Sequence, residues 1–186
     1  MHLLQVIKRR RAVYPESYQP DQTLDQKTVE LLLEAASWAP SHKLSQPWRY
    51  YVYLDKTARQ KLGSHMAEAF KATSPEDFSE IKYQRFLNRP VLAACVIVIG
   101  MVPGEGLPEW EEIAAVSASV QNMWLLCTEL GLGSYWSTPG FFLSAAAEFL
   151  PLSGNEKCLG LFYIGITDHT PTPTKRKKWS EFSKWM

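Results

Sequence analysis

The feature of this sequence that most constrains its fold is a nearly unbroken apolar run over residues 91–102 (VLAACVIVIGMV). Its Val and Ile content is typical of a strand that other parts of the protein cover on both faces. The run is too short to cross a bilayer as a helix, which takes about 20 apolar residues. It therefore predicts the central strand of a buried sheet.

The composition is that of a folded domain without a strong preference for a charged partner. The chain has 186 residues, 46% of them hydrophobic and 21% charged, and a formal net charge of +1. This length fits one domain with a sizeable core, which we assign to residues 1–186. Proteins specialised for nucleic acids or membrane surfaces usually carry a marked basic excess. We therefore expect a small-molecule partner, no nucleic acid and no membrane.

The three cysteines indicate neither a disulfide framework nor a metal site. Cys95, Cys127 and Cys158 are odd in number, far apart and without CxxC spacing, which disfavours both disulfide pairing and a zinc cluster. Cys95 and Cys158 lie in apolar runs, where a thiol is usually a small buried hydrophobe. The N-terminus shows no cleavable signal pattern, and we expect a cytoplasmic protein without a bound metal.

Helices are predicted from periodicity and end signals. Thr23 and Gln26 have the spacing of a capping box, and an apolar stripe follows as far as Ala36. A helical pattern also covers about residues 56–70. A further helix begins near Pro108 and continues to about residue 130. Its first turn holds three carboxylates, which we assign to the positive helix end rather than to catalysis: Glu109, Glu111 and Glu112.

Strands are predicted at residues 48–54, 91–102, 134–138 and 158–167. They do not alternate with helices in a simple βαβαβ series, and helices outnumber them, so an α+β fold is favoured over a doubly wound sheet. The sequence has no GxGxxG, Walker, HExxH or GxSxG motif. Much of common enzyme chemistry is therefore unsupported by local motifs.

Three separated segments resemble the nitroreductase family, in its branch of short single-domain members. Residues 7–13 (IKRRRAV) are similar to an N-terminal Arg-Arg-Ser motif, and residues 39–48 (APSHKLSQPW) are similar to an Ala-Pro-Ser segment that ends in Gln-Pro-Trp. The third segment runs over residues 108–136, from PEWE through Gln121-Asn122 to LGLGSYW. The resemblance covers nearly the whole chain, and the second segment is the most specific.

The resemblance implies an α+β, nitroreductase-like fold with a central mixed sheet flanked by helices. It also implies a homodimer that exchanges C-terminal arms and holds two FMN molecules at its interface. In such proteins the flavin carries the chemistry, so no catalytic side chain is expected. NADH or NADPH would donate hydride, and a nitroaromatic or quinone would accept it.

Eleven residues are candidates for FMN binding on this resemblance. Guanidinium groups suit the phosphate, while the second and third segments would meet the flavin ring. Leu44 and Ser137 stand where the family often has Asn and Arg, and Ala12 replaces the usual Ser. The candidates are Arg10, Arg11, Ala12 and Arg176 for the phosphate, His42, Lys43, Ser45 and Gln46 on the loop, and Trp136, Ser137 and Thr138 on a strand.

The tail and Trp110 leave alternatives open. Pro171 and Pro173 favour an extended arm over about residues 170–186, whose aromatic residues would be covered in a dimer. Its basic run before Trp179 is also compatible with a nucleic-acid arm, which the near-neutral net charge disfavours. Another alternative keeps FMN but performs reductive dehalogenation or flavin modification. Trp110 could border the substrate pocket or pack at its helix start, and we expect the packing role.

Overall fold

Four strands form one sheet at the centre of the protein. The computed structural model describes residues 2–73, 75–76, 78–152, 154–172 and 174–186. The strand order is β1-β2-β4-β3. The strands are β1 (Trp48–Tyr53), β2 (Cys95–Met101), β3 (Leu132–Ser137) and β4 (Lys157–Ile166). The helices are α1 (Leu3–Arg9), α2 (Gln26–Ser37), α3 (Lys56–Thr73), α4 (Glu80–Leu92), α5 (Glu109–Glu129) and α6 (Gly140–Phe149).

The expected α+β class is confirmed, but the expectation of a mixed sheet is wrong for the described strands. All three neighbouring pairs, β1–β2, β2–β4 and β3–β4, are antiparallel. Two helices, α3 and α4, separate β1 from β2, so the chain re-enters the sheet in the opposite direction. The single helix α5 does return β3 parallel to β2, but β4 lies between these two strands.

Helices cover both faces of the sheet. Alternate residues of β2 point to opposite faces, and Ile97 packs with α2 and α5 on one face while Val98 packs with α3 and α6 on the other. All seven residues of β2 are buried, which confirms the prediction of a central strand. The apolar run begins earlier than the strand, because Val91 and Leu92 form the end of α4.

Helix α2 begins later than the sequence predicted. The residue at its N-cap is Asp25, whose carboxylate accepts hydrogen bonds from the Thr28 amide at 2.7 Å and the Thr28 hydroxyl at 3.0 Å. The capping box assigned to Thr23 and Gln26 is therefore wrong, since Gln26 is already the first helical residue. A carboxylate N-cap also complements the positive helix end.

We expect Asp25→Ala to shift urea unfolding to a clearly lower urea concentration, because the amide and the hydroxyl of Thr28 lose their acceptor. Thr23→Ala is the matched control, since it removes the residue that the sequence alone places at the cap, and it should leave stability unchanged. Urea unfolding followed by circular dichroism measures both. Equal losses in the two variants would contradict the assignment of Asp25.

A buried tyrosine fixes the segment between α1 and α2 against the sheet. Tyr18 donates its hydroxyl hydrogen to the carbonyl of Val13 at 2.8 Å. The carbonyl of Tyr163, at 3.3 Å, is a second and more distant acceptor. Its ring lies over the cross-strand pair Gly133 and Gly165. A Cβ on Gly165 would come within 2.3 Å of the Tyr18 ring, so the two glycines create the space that the ring fills.

The three thiols lie inside the protein, as expected for Cys95 and Cys158. All three cysteines are free and buried. Burial raises the pKa of Cys95 and of Cys127 to about 12 and that of Cys158 to about 11. The thiols are therefore neutral side chains of the core at ordinary pH.

The described part of the tail carries one short 3₁₀ turn, Trp179–Glu181, and exposes its large apolar side chains. Trp179 and Trp185 are 66% and 88% exposed. Pro173, which contributed to the expectation of an extended arm, lies outside the described residues. Within the described ranges, no helix has the length and apolar content needed to cross a membrane, and no cluster of His, Cys, Asp or Glu could hold a metal ion.

Candidate functional site

The structure brings the four candidate phosphate ligands together. Arg10, Arg11 and Ala12 follow α1, and Arg176 comes from the tail to line the same cleft, which has a volume of about 370 Å³. Sequence reasoning did not find the other polar residues of this cleft, because nothing in the local sequence marks them. They are Tyr14, Ser17, His169, Thr172 and Thr174.

Positive charge is concentrated in this arginine cleft. Burial, and after it the guanidiniums of Arg176 and Arg11, lower the pKa of Arg10. In the described part of the chain, none of these three arginines forms an ion pair with a carboxylate. Like charges held close together without counter-charges favour the binding of an anion.

Trp124 of α5 contacts both Arg10 and Arg11 at the arginine cleft. The Arg10 guanidinium lies 4.5 Å from the centre of the Trp124 ring, a cation–π geometry, and the indole N–H of Trp124 donates to the carbonyl of Arg11 at 3.2 Å. Arg11 itself donates to the carbonyls of Lys8 at 2.7 Å and Arg10 at 2.8 Å. Part of its guanidinium therefore closes the end of α1, whereas Arg10 is held by stacking.

The second group of candidates lies on a loop with unusual backbone geometry. The loop, residues 41–46, contains Lys43, Leu44 and Gln46 with φ of 50°, 56° and 46°. A side chain in this left-handed region costs about 1–2 kcal/mol per residue. Asn and Asp tolerate this region better than most residues with a Cβ, so Leu44 is an unfavourable residue at its position. Surrounding contacts must stabilise such a conformation.

Two carboxylates of α5 provide those contacts. Glu111 pairs with the His42 ring at its Nδ1, and Glu112 accepts a hydrogen bond from the Ser45 hydroxyl at 2.8 Å. The other oxygen of Glu112 accepts from the amide of Gly104 at 3.0 Å, and the side chain is completely buried. Sequence analysis had assigned these acids only to the helix end. Their partners in the loop, His42 and Ser45, lie about 70 positions away, and no local pattern links them.

A groove of about 300 Å³ lies beside the loop, between it and α5. Its floor is formed by small residues of the helix, and its rim includes His42 and Trp110. Trp110 is 70% exposed, so the expectation that it packs at the helix start is wrong. The groove is lined by Pro40, Ser41, His42, Trp110, Glu111, Ala114, Ala115 and Ala118.

The three strand candidates lie apart from both of these spaces. Trp136 packs partly buried against the core and donates its indole N–H to the carbonyl of Leu159 at 3.2 Å. Ser137 is buried and Thr138 is exposed. Trp136, Ser137 and Thr138 line neither the arginine cleft nor the groove.

The arginine cleft and the 41–46 loop contact opposite ends of α5, which gives the distance between them in one chain. Arg10 lies against Trp124, near the helix end, while His42 contacts Glu111 in its first turn. At a rise of 1.5 Å per residue, these two helix positions are about 20 Å apart. A single chain therefore presents the arginine cleft and the 41–46 loop as two separate surfaces.

The chain is similar over nearly its whole length to a Bacillus subtilis protein provisionally named an NAD(P)H nitroreductase. The two are 28% identical over 185 residues, which covers 94% of this chain and 89% of the relative. A shorter similarity, 30% identity over 126 residues, covers 61% of this chain and 59% of a Rhodospirillum rubrum protein named 5,6-dimethylbenzimidazole synthase.

Solved structures show the same fold. A nitroreductase-like family protein from Bacillus cereus matches with a TM-score of 0.80 and 26% identity, covering 100% of this chain and 96% of that one. A provisionally named nitroreductase from Desulfovibrio desulfuricans, solved in complex with FMN, has a TM-score of 0.76 at 23% identity, over 100% and 97% of the two chains. The family model described as the Nitroreductase family matches residues 7–166, and the chain belongs to this family.

Proposed function

We propose that this protein is an FMN-dependent oxidoreductase that passes hydride from NADH or NADPH, through the flavin, to a small electron-poor acceptor. The observation that carries the proposal is the arginine cleft, where, among the described residues, no carboxylate pairs with Arg10, Arg11 or Arg176. Guanidinium groups are the donors best suited to a phosphate. Family membership, the relative named for NAD(P)H and the related structure with FMN support it.

The residues of the cleft fit the phosphate end of FMN. Ala12 cannot supply the hydroxyl of the usual Ser, but Thr172 and Thr174 line the same cleft and each carries one. Arg10, stacked on Trp124, and Arg176 would hold the phosphate oxygens. These two hydroxyls on the tail side of the cleft would take the place of the one missing at position 12.

The 41–46 loop would meet the ring end of the flavin. His42, Lys43 and Gln46 can donate hydrogen bonds where negative charge develops on reduction, which favours the reduced state. When bound, FMN supplies the ring that accepts a hydride and passes electrons on. Donor and acceptor would enter one site in turn, in ping-pong order. Nitroaromatics and quinones are the proposed acceptor classes.

The separation of the arginine cleft from the loop supports a site shared by two chains. We propose a homodimer in which the cleft of one subunit and the loop of its partner hold the same FMN. The tail, about residues 170–186, would be the arm that covers the partner, since Trp179, Phe182 and Trp185 are largely exposed on one chain. The cytoplasmic location and the assignment of residues 1–186 to one domain stay predictions.

The first test is the visible spectrum of the purified protein and the identity of any chromophore released on denaturation. We expect a yellow protein that releases FMN, is bleached by NADH or NADPH without oxygen, and recovers its colour with a nitroaromatic or a quinone. A colourless protein that takes up no added FMN would overturn the proposal. Salt-sensitive binding of single-stranded oligonucleotides by such a protein would instead favour a nucleic-acid function for the basic tail.

The shared site predicts complementation between two defective chains. We expect Arg10→Ala and the double variant His42→Ala/Gln46→Ala each to lose FMN as pure dimers. In a two-fold dimer, each mixed pair has one site whose cleft and loop are both intact, so random pairing should restore about a quarter of the sites. Unfolding and refolding the mixture, then titrating FMN, measures this recovery. No recovery would place each site within one chain.

A second candidate function keeps the FMN site but changes the reaction. The similarity to a protein named for synthesis of 5,6-dimethylbenzimidazole favours flavin modification as this alternative. Reductive dehalogenation is the other reaction considered. Intact FMN recovered after many turnovers with a nitroaromatic or quinone supports the proposed function. Consumption of FMN supports modification, and reduction restricted to halogenated acceptors supports dehalogenation.

A further inference from the structure

Two neighbouring carboxylates in the first turn of α5 reach back to one irregular loop. Glu111 contacts His42, and Glu112 contacts Ser45. The loop between these points has a left-handed backbone at Lys43 and Leu44, and again at Gln46. Of the four non-glycine residues with positive φ in the described ranges, three therefore lie in this loop.

Packing does not explain why the loop keeps this conformation. His42, Lys43, Leu44 and Gln46 are exposed, Leu44 to 80%. Hydrogen bonds must hold it instead. Within the loop, the Ser41 hydroxyl accepts from the Gln46 amide at 3.2 Å, and the carbonyl of His42 accepts from the Ser45 amide at 3.0 Å. The carboxylates of α5 tie this arrangement to the body of the protein.

Of the two carboxylates, Glu112 makes the stronger contact with the loop. Its carboxylate is completely buried, and its oxygens accept from the Ser45 hydroxyl and from the Gly104 amide. A buried carboxylate is tolerated when hydrogen bonds satisfy it and a helix N-terminus compensates its charge. Glu112 meets both conditions, in the first turn of α5. The exposed loop is thus hydrogen-bonded to a fully buried side chain of α5.

We infer that Glu112, with Glu111, is a positioning residue for cofactor binding: it holds the 41–46 loop in the strained conformation that presents His42 and Gln46 to the flavin ring. The inference rests on the proposed function, because it takes the loop to be the ring-binding element. Neither carboxylate needs to touch the flavin. Strain that the surrounding contacts maintain at an exposed loop is typical of a binding element organised in advance.

The test compares Glu112→Gln with the matched control Glu109→Gln in the full chain. Glu109 occupies the same helix turn, but its partner is the half-exposed Lys157 at 2.7 Å. An amide at position 112 can accept only one of the two hydrogen bonds. We expect Glu112→Gln to raise the dissociation constant of FMN at least tenfold, and Glu109→Gln to change it less than twofold.

Substitutions at Ser45 test the same hydrogen bond from the loop side. They keep the inference testable if Glu112→Gln fails to fold. We expect Ser45→Ala to weaken FMN binding severalfold and Ser45→Thr, which keeps the hydroxyl, to restore it. Combining Ser45→Ala with Glu112→Gln should weaken binding by less than the sum of the two single effects, because both variants act on the same contact between Ser45 and position 112. Amide hydrogen exchange of residues 45 and 46 without FMN should accelerate in the Ala and Gln variants and stay unchanged in Glu109→Gln.

The outcomes separate the two proposals. If the wild type binds FMN and both Ser45→Ala and Glu112→Gln bind it equally well, the positioning role is overturned and the proposed function stands. If exchange at residues 45 and 46 does not change in these variants, the tie does not hold the loop and the positioning role is also overturned. If the wild type binds no FMN, the proposed function is overturned, and the positioning role with it.

Discussion

Arg10→Ala should lose FMN far more readily than the wild type, with a dissociation constant raised roughly 10- to 100-fold. Hydrogen bonds to a charged group contribute about 1.5–3 kcal/mol, and a tenfold change in binding corresponds to about 1.4 kcal/mol. Arg10 is the candidate whose guanidinium is held in place by the Trp124 ring, 4.5 Å away. Titration of the apoprotein with FMN, followed by fluorescence quenching, gives the constant.

Two further substitutions separate the role of the Arg10 guanidinium from a general effect of positive charge. Arg10→Lys keeps the charge but loses the planar, bidentate donor, so we expect an intermediate loss. Arg85→Ala removes the same charge at an exposed position whose nearest carboxylate, that of Glu16, is 3.9 Å away, and it should bind FMN like the wild type. Unchanged binding by Arg10→Ala would remove this residue from the phosphate site.

Gly165→Ala should lower the free energy of unfolding by about 3 kcal/mol, the largest stability effect among the substitutions proposed. The new Cβ would come within 2.3 Å of the Tyr18 ring, and forcing extra atoms into a packed core typically costs about 1–3 kcal/mol. Moving the ring would also break the hydrogen bond from its hydroxyl to the carbonyl of Val13. Denaturant unfolding monitored by circular dichroism measures the loss.

Gly140→Ala is the matched control, because a Cβ there meets no atom within 4 Å, and its stability should equal that of the wild type or exceed it slightly. In a Tyr18→Ala background, Gly165→Ala should be much less destabilising, since the ring it strikes is gone. The same loss with and without the ring would show that the clash with Tyr18 is not the cause.

Tyr18 connects this stability effect to the candidate site. The amide of Val13 donates to the carbonyl of Ser134, and the carbonyl of Val13 accepts from Tyr18. These two bonds fix the chain immediately after Arg10, Arg11 and Ala12. We therefore expect a folded Gly165→Ala protein to bind FMN more weakly as well, although its substitution lies outside the cleft.

The fold was predictable where one strong local pattern decided the structure. The continuous Val and Ile run became β2, since strands buried on both faces carry this pattern. Its first residues were misassigned, because apolar character alone does not separate a helix end such as Leu92 from a strand start. The mixed sheet that the family resemblance implied is not found, because all three neighbouring pairs of the described strands are antiparallel. Strand direction depends on crossovers between elements, which local sequence patterns do not record.

The candidate site was predictable residue by residue only through the family resemblance. That resemblance picked out Arg10 and Arg176, which lie far apart in sequence and line one cleft in the structure. It did not reveal Glu112, because the role of this side chain depends on a loop about 70 positions away and on complete burial. Long-range hydrogen bonds of this kind have no signature in a single sequence.

The neutral, enclosed thiols have a consequence for a protein that handles electrons. Oxidants attack thiolates at accessible sulfur atoms, and the pKa of each of the three thiols lies at about 11 or 12. Peroxide or disulfide reagents in the surrounding medium thus find no ready target among Cys95, Cys127 and Cys158 while the chain stays folded. Oxidation of these three cysteines should therefore follow unfolding rather than cause it.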